Sequence, residues 1–242
     1  MELKEKLDHL REQYNKPEFI TNDPIQFAHQ YTNKKDIEIV SFLVATISWG
    51  KRPMILKSAK HMLNFMGKSP YDYVMSKGYE YLGEANIHRT FFESDLKYYC
   101  KGFHSLYTNY IDIEDVFNKD SSLWNGIVRF REIVKMANGG LDTKHISNPL
   151  KKSACKRLFM ALRWLVRDDG IVDLGLWKSI NPSQLYIPLD THVARVSREL
   201  GLLERKSNDR QAVEELTIRL RELDANDPIS YDFALFGWGE AR

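Results

Sequence analysis

From Asp36 to Trp49 the chain carries Ile37, Val40, Phe42, Leu43, Val44, Ala45 and Ile47. Wound as a helix, this stretch is apolar on nearly every side, so other elements must surround it. Asp36 can cap its start and Gly50 can stop it. What can do the surrounding is also helical. Glu2 to Asn15 repeats Leu3, Leu7 and Leu10 on one side. Pro53 suits the first turn of a helix running to Met66, before Gly67. Ser122 to Ala137 is ended by Asn138-Gly139-Gly140. Asn208 can cap a helix through Leu223. Asp227-Pro228 reads as a cap followed by a first-turn proline, opening a segment to Phe236. Alternating strand patterns are nearly absent. The expectation is an all-α protein, with its weakest joints at 77–90 and 138–150.

Composition narrows the function classes. Of 242 residues, 43% are hydrophobic and 28% charged, which is the profile of a folded globular chain. Cys100 and Cys155 are too few for a disulfide framework or a four-thiolate cluster, and a reducing, cytoplasmic home fits them. The opening MELKEKLDHLREQYNK lacks the apolar core of a secretory signal. No window approaches a membrane span. P-loop, dinucleotide and nucleophile-elbow motifs are missing. The scattered histidines form no His-Glu-x-x-His, so no metal or other cofactor is expected.

A net charge of +2 conceals an asymmetry. Lys144, Lys151, Lys152, Lys156, Arg157, Arg163 and Arg167 fall in a window from Thr143 to Arg167 that contains no acid, for a formal +7. From Gln211 to Arg242, seven acids (including Asp227 and Asp232) face three arginines, for a formal −4. At about 100° per residue, Lys152, Lys156, Arg163 and Arg167 fall within roughly 60° of arc. Ala154, Leu158, Ala161, Leu162 and Leu165 lie opposite. The pattern predicts a helix with a buried face and a cationic ridge suited to phosphates. The plain alternative is a solvated helix face.

Pro188 to Gly201 carries a second feature. Asp190 stands where it can cap a helix whose inner side is Val193, Val196 and Leu200. A carboxylate there accepts backbone N–H groups and faces the positive end of the helix dipole. By itself this needs no function beyond capping.

Leu189-Asp190-Thr191-His192-Val193-x-Arg195-Val196-x-Arg198-x-Leu200-Gly201 resembles the aspartate segment of the helix-hairpin-helix DNA glycosylases. That superfamily includes endonuclease III and the adenine and 8-oxoguanine glycosylases, and its pattern is Val-Asp-Thr-His-Val-x-Arg-Val-x-x-Arg-Leu-Gly. Ser41 to Gly50 with the following helix is similar to an early core helix of that superfamily, whose end contributes to the DNA cleft. Asp227-Pro228 through Gly239 is similar to its closing helix. The closest likeness is to a bacterial group within the superfamily that carries a domain of unknown function. Two departures stand out. The Leu-Pro-Gly-x-Gly hairpin is replaced by Asp169-Gly170-Ile171-Val172-Asp173-Leu174-Gly175-Leu176. The bifunctional enzymes keep a Schiff-base lysine in that hairpin, whereas here only Lys178 lies between Arg167 and Asp190. One archaeal 8-oxoguanine branch carries its lysine further upstream on a helix, and Lys156 corresponds to that arrangement.

The resemblance implies a two-lobed glycosylase-like fold, with a middle lobe at 32–150 and a second lobe from 1–31 plus 151–242 that carries Asp190. It implies DNA repair by base excision from damaged double-stranded DNA, carried out by a monomer. Asp190 would stabilise positive charge on the sugar, and Lys156 would attack the anomeric carbon, helped to lose its proton by neighbouring cations. With no lysine in reach, water would attack instead. Lys152, Arg163, Arg167, His192, Arg195 and Trp49 are the expected DNA contacts, Trp49 as the aromatic at the cleft. Trp164, Trp177 and Trp238 are expected in the core. Two rivals stand beside this reading: a non-catalytic DNA-binding or damage-recognition protein, and a helical enzyme or scaffold for RNA.

Overall fold

The computed structural model describes residues 2–120 and 122–242; Met1 and Ser121 lie outside it. In chain order its elements are α1 (Leu3–Tyr14), α2 (Pro17–Asn22), α3 (Lys34–Ile47), α4 (Arg52–Asn64), α5 (Pro70–Met75), β1 (Asn86–His88), β2 (Phe91–Phe92), α6 (Glu93–Asn109), α7 (Glu114–Phe117), α8 (Leu123–Ala137), α9 (Lys156–Val166), α10 (Thr191–Glu199), α11 (Arg210–Leu223) and α12 (Tyr231–Glu240). Short 3₁₀ turns join several of them, including Pro24–Gln30 and Pro228–Ser230. Among the described residues the fold is therefore all-α apart from one small antiparallel hairpin, β1–β2, whose first strand falls in the weak joint 77–90. No helix among the described residues is long and apolar enough to cross a membrane.

The chain divides into two compact units: Asn22–Ile146, and the segment up to Thr21 together with Ser147–Arg242. The boundaries expected from the sequence were 32–150 and the remainder.

The Asn22–Ile146 unit is built around α3, which is buried from Asp36 to Ile47 as its all-round apolar pattern requires. The cap is Asn33, whose side chain accepts from Lys35 N at 2.9 Å, and not Asp36. Asp36 lies inside the first turn, where its Oδ1 accepts from Tyr71 N at 2.7 Å and Ser69 Oγ at 3.1 Å, tying α3 to the start of α5. Glu38 is buried and satisfied by Tyr107 Oη at 2.8 Å and Ile113 N at 3.2 Å. Phe42 stacks on Phe130 with centroids 4.9 Å apart and on Phe117 at 5.9 Å. Gly50 follows α3 at φ +101°, a conformation glycine adopts at least cost.

In the other unit α1 packs along α12, and α10 packs on α12. Gly237 permits the first contact: a Cβ there would stand 2.3 Å from the Tyr14 ring. The expected helix from Asp227 is split into the 3₁₀ turn and α12, because Asp227 makes no capping bond and binds Arg167 instead. Asp209, not Asn208, caps α11. Trp164 and Trp177 are buried, as expected; Trp238 is half-buried, with the Lys6 ammonium 3.9 Å from its ring centroid.

Candidate active site

The arrangement begins at the N-terminus of α9. Cys155, immediately before it, adopts φ +50°, and Lys152 adopts φ +62°. Left-handed conformations at non-glycine residues cost roughly 1 kcal/mol or more each. The segment is held there by Asn148, which caps the turn at Pro149, and by the bond from Arg210 N to Lys152 O at 3.0 Å. The consequence is a helix that starts at Lys156, not before it. Lys152 is exposed but off the helix, so it does not extend a ridge through Lys156.

Asp190 does cap α10. Its Oδ1 accepts from Val193 N at 2.8 Å. Its Oδ2 lies 3.9 Å from Lys156 Nζ. One carboxylate oxygen fixes the helix and the other faces the amine. The Lys156 side chain is 29% exposed and that of Asp190 is 16% exposed, so a ligand can reach both.

The other half of the expected ridge is inside. Arg163 and Arg167 are 5% and 2% exposed. Arg163 Nε pairs with Asp173 Oδ1 at 3.2 Å, and its Nη1 bonds to Asp232. Arg167 reaches Asp173, Asp169 at 3.1 Å, and Asp227 at 2.8 Å. Neither guanidinium is available to a phosphate, which corrects their reading as DNA contacts. The physical reason is that α9 is buried almost all round from Leu158 to Val166. Cations on such a helix must find carboxylates. Those carboxylates include Asp227 and Asp232 from the acidic C-terminal stretch, so the compensation seen in the charge count is direct contact.

This ionic cluster adjoins the site through Asp232. Burial pushes the Asp232 carboxyl up to about 6, and the negative charge of Asp190 adds to that effect, against the opposing pull of Arg163 and Lys156. Burial likewise raises Asp173 despite both arginines. For Arg167 burial disfavours the charge, yet Asp173, Asp227 and Asp169 outweigh it and hold the guanidinium above its ordinary value. The amine of Lys156 faces Asp190, and both act electrostatically on Asp232. Asp232 escaped the sequence reading because it was counted only as one of seven acids. The available signal was its setting, a lone carboxylate within Tyr231-Asp232-Phe233-Ala234-Leu235.

The segment 169–176 is closed on itself. Asp169 Oδ1 accepts from Ile171 N at 2.9 Å, Val172 N at 3.0 Å and Asp173 N at 3.3 Å. Burial opposes the charge of Asp169, but these N–H groups and Arg167 prevail and hold its carboxyl below the usual range. After α9, residues 168–190 contain a three-residue 3₁₀ turn and no α-helix, so no second helix flanks the segment. Lys178 is exposed and pairs with Asp168.

The remaining expected contacts are placed as follows. His192 Nδ1 lies 3.1 Å from Gly239 O, and Arg195 Nη2 donates to the same carbonyl at 2.8 Å. Both tie α10 to the end of α12. Trp49 belongs to the other unit, half-buried, edge-on to His88 at 4.9 Å and stacked on His145 at 5.9 Å. What the structure brings together is Lys156, Asp190 and Asp232. No curated protein and no solved structure matches the chain. A family model does, over residues 23–241, and the chain belongs to that family, described as "Protein of unknown function (DUF2400)".

Proposed function

We propose that the chain is a DNA N-glycosylase with abasic-site lyase activity, acting through Lys156 and Asp190. The observation that carries this reading is the 3.9 Å approach of Lys156 Nζ to Asp190 Oδ2, with the lysine at a helix N-terminus and the aspartate locked by its capping bond. An amine and a carboxylate held together, both reachable, suit displacement at an anomeric carbon. The damaged nucleotide leaves the stack and enters the site. The Lys156 amine attacks C1′ and the C1′–N bond breaks, its electron pair leaving with the base. Asp190 stabilises the positive charge that develops on the sugar and accepts the proton from the amine. Ring opening gives an imine, and loss of a C2′ proton then expels the 3′ phosphate.

A panel of duplexes, each with one damaged base, tests this. Strand cleavage without alkali is expected on at least one member, and Lys156→Ala abolishes it. Cleavage only after alkali, equal in wild type and Lys156→Ala, replaces the lysine by water. Silence across the panel removes the enzyme reading.

A non-catalytic DNA-binding protein is the second reading, and one observation favours it. The N–H groups of residues 171–173 are spent on Asp169, so they are not offered to a phosphate as a hairpin's would be. Salt-sensitive duplex binding without any cleavage is its signature.

A further inference from the structure

Between Glu38 and Asp72 the chain contains no carboxylate, yet it carries Lys51, Arg52, Lys57, Lys60 and Lys68. Most of this segment is α4 and its flanks. Lys51, Lys57, Lys60 and Lys68 are all exposed. None of the four side chains forms an ion pair among the described residues, in contrast to Arg163 and Arg167. Ion-pairing at i,i+3 or i,i+4 is the ordinary use of surface lysines on a helix, and α4 offers no acid for it.

Lys57 and Lys60 stand on the rim of a groove of about 720 Å³ between α4 and the 3₁₀ turn Pro24–Gln30. Its apolar floor includes Phe27 and its polar lining includes Gln26, Tyr31 and Asn64. No carboxylate lines it. Burial, with the charge of Asp36 adding to it, raises the Tyr31 phenol above its ordinary value, so Tyr31 meets a ligand as a neutral donor. A volume of this order suits a ligand about the size of a nucleotide. The cations extend beyond the groove itself. The thirteen residues of α4 span about 20 Å, with Lys51 at one end and Lys68 past the other. At about 3.4 Å per residue of a strand, that covers several successive phosphates.

We infer that this groove and the α4 lysines form a binding surface for a single strand of nucleic acid, with phosphates on Lys57 and Lys60 and a base lodged over the apolar floor beside Tyr31. It rests on the reading of the chain as a nucleic-acid-binding protein, but not on Lys156 or on any chemistry there. Lysine contacts to phosphate give affinity without sequence, and the amide of Asn64 supplies hydrogen bonds to a base edge.

The test is anisotropy of a labelled oligothymidylate 15-mer between 50 and 200 mM salt, with the full chain. Wild type is expected to bind with a steep salt dependence. Lys57→Glu/Lys60→Glu is expected to weaken binding at least tenfold at 50 mM and to flatten the log–log salt slope by about 1.4, two phosphate contacts at about 0.7 each. Lys206→Glu, an exposed lysine elsewhere, should change neither by more than twofold. Circular dichroism confirms that the variants are folded. Equal binding and slope in wild type and the double variant overturn the inference. Displacement of the strand by equimolar thymidine monophosphate also overturns it, leaving a free-nucleotide site. A labelled duplex run in parallel separates the two readings. Duplex binding retained by a double variant that also binds the oligothymidylate as wild type does sinks the groove and leaves the glycosylase standing. Loss of all binding, single-stranded and duplex alike, in wild type sinks both.

Discussion

At Asp232 one carboxylate does two things that oppose each other. It satisfies Arg163 inside the protein, and it adds negative charge behind Asp190. Its pKa is raised from 3.8 to about 6. The native state thus holds a proton through the window from pH 4 to 6 that the unfolded chain releases, so this group lowers stability as pH rises through that window and its cost remains above it. The size is on the order of 3 kcal/mol. Asp232→Asn should remove that component: urea unfolding at pH 4 and pH 6 should show a smaller loss for the variant than for wild type, and an identical loss would refute the assignment. Arg163→Met is a harsher change. It leaves Asp173 and Asp232 buried with one cation fewer, and a cost of about 3 kcal/mol or more is expected by thermal or urea unfolding. By contrast, Lys156→Ala touches a partly exposed pair and should cost under about 1 kcal/mol. That contrast makes Lys156→Ala a clean probe of function.

At the scale of the element, α9 and α10 show what the sequence disclosed and what it hid. The cap of α10 was legible because Pro188, Asp190 and the apolar spacing of Val193 and Val196 all lie within nine consecutive residues. Removing it in Asp190→Ala should cost about 1 kcal/mol, while Asp190→Asn keeps a capping oxygen and should cost less. Both should lose base release, and an Asp190→Asn protein with full activity would restrict the residue to capping. The cationic face of α9 was read from periodicity alone, and periodicity cannot tell water from a carboxylate brought in from 60 or more residues away. Asp173 and Asp169 supply part of the pairing from nearby, and Asp227 and Asp232 complete it from parts of the chain remote from Arg163 and Arg167. The start of α9 was hidden for a different reason: the left-handed backbone at Lys152 and Cys155 has no signature in residues that normally avoid it. Gly237 was visible only as a glycine. Its replacement by Ala should destabilise the α1–α12 contact measurably, because the added Cβ meets the Tyr14 ring.

At the scale of the whole molecule, the helical class followed from one nearly all-apolar helix and the absence of alternation. Helices starting near Leu3, Lys34, Arg52, Leu123 and Arg210 lie within a few residues of where caps and prolines put them. The hairpin β1–β2 was missed because its strands are three and two residues long, too short for a period to register. The charge balance of the chain proved a poor guide to its surface. The +7 window is partly internal, and the unpaired lysines of α4 lie in a stretch whose count drew no notice. The proposed chemistry makes Lys156 the nucleophile. It is tested most directly by incubating the protein, in the presence of borohydride, with an intact damaged duplex that it cleaves, digesting the trapped species and locating the adduct by mass spectrometry. Reduction of the imine to a stable amine on Lys156, absent in Lys156→Ala, is the expected result. An adduct on Lys152 or another amine, or strand cleavage with no trapped species at all, would contradict it.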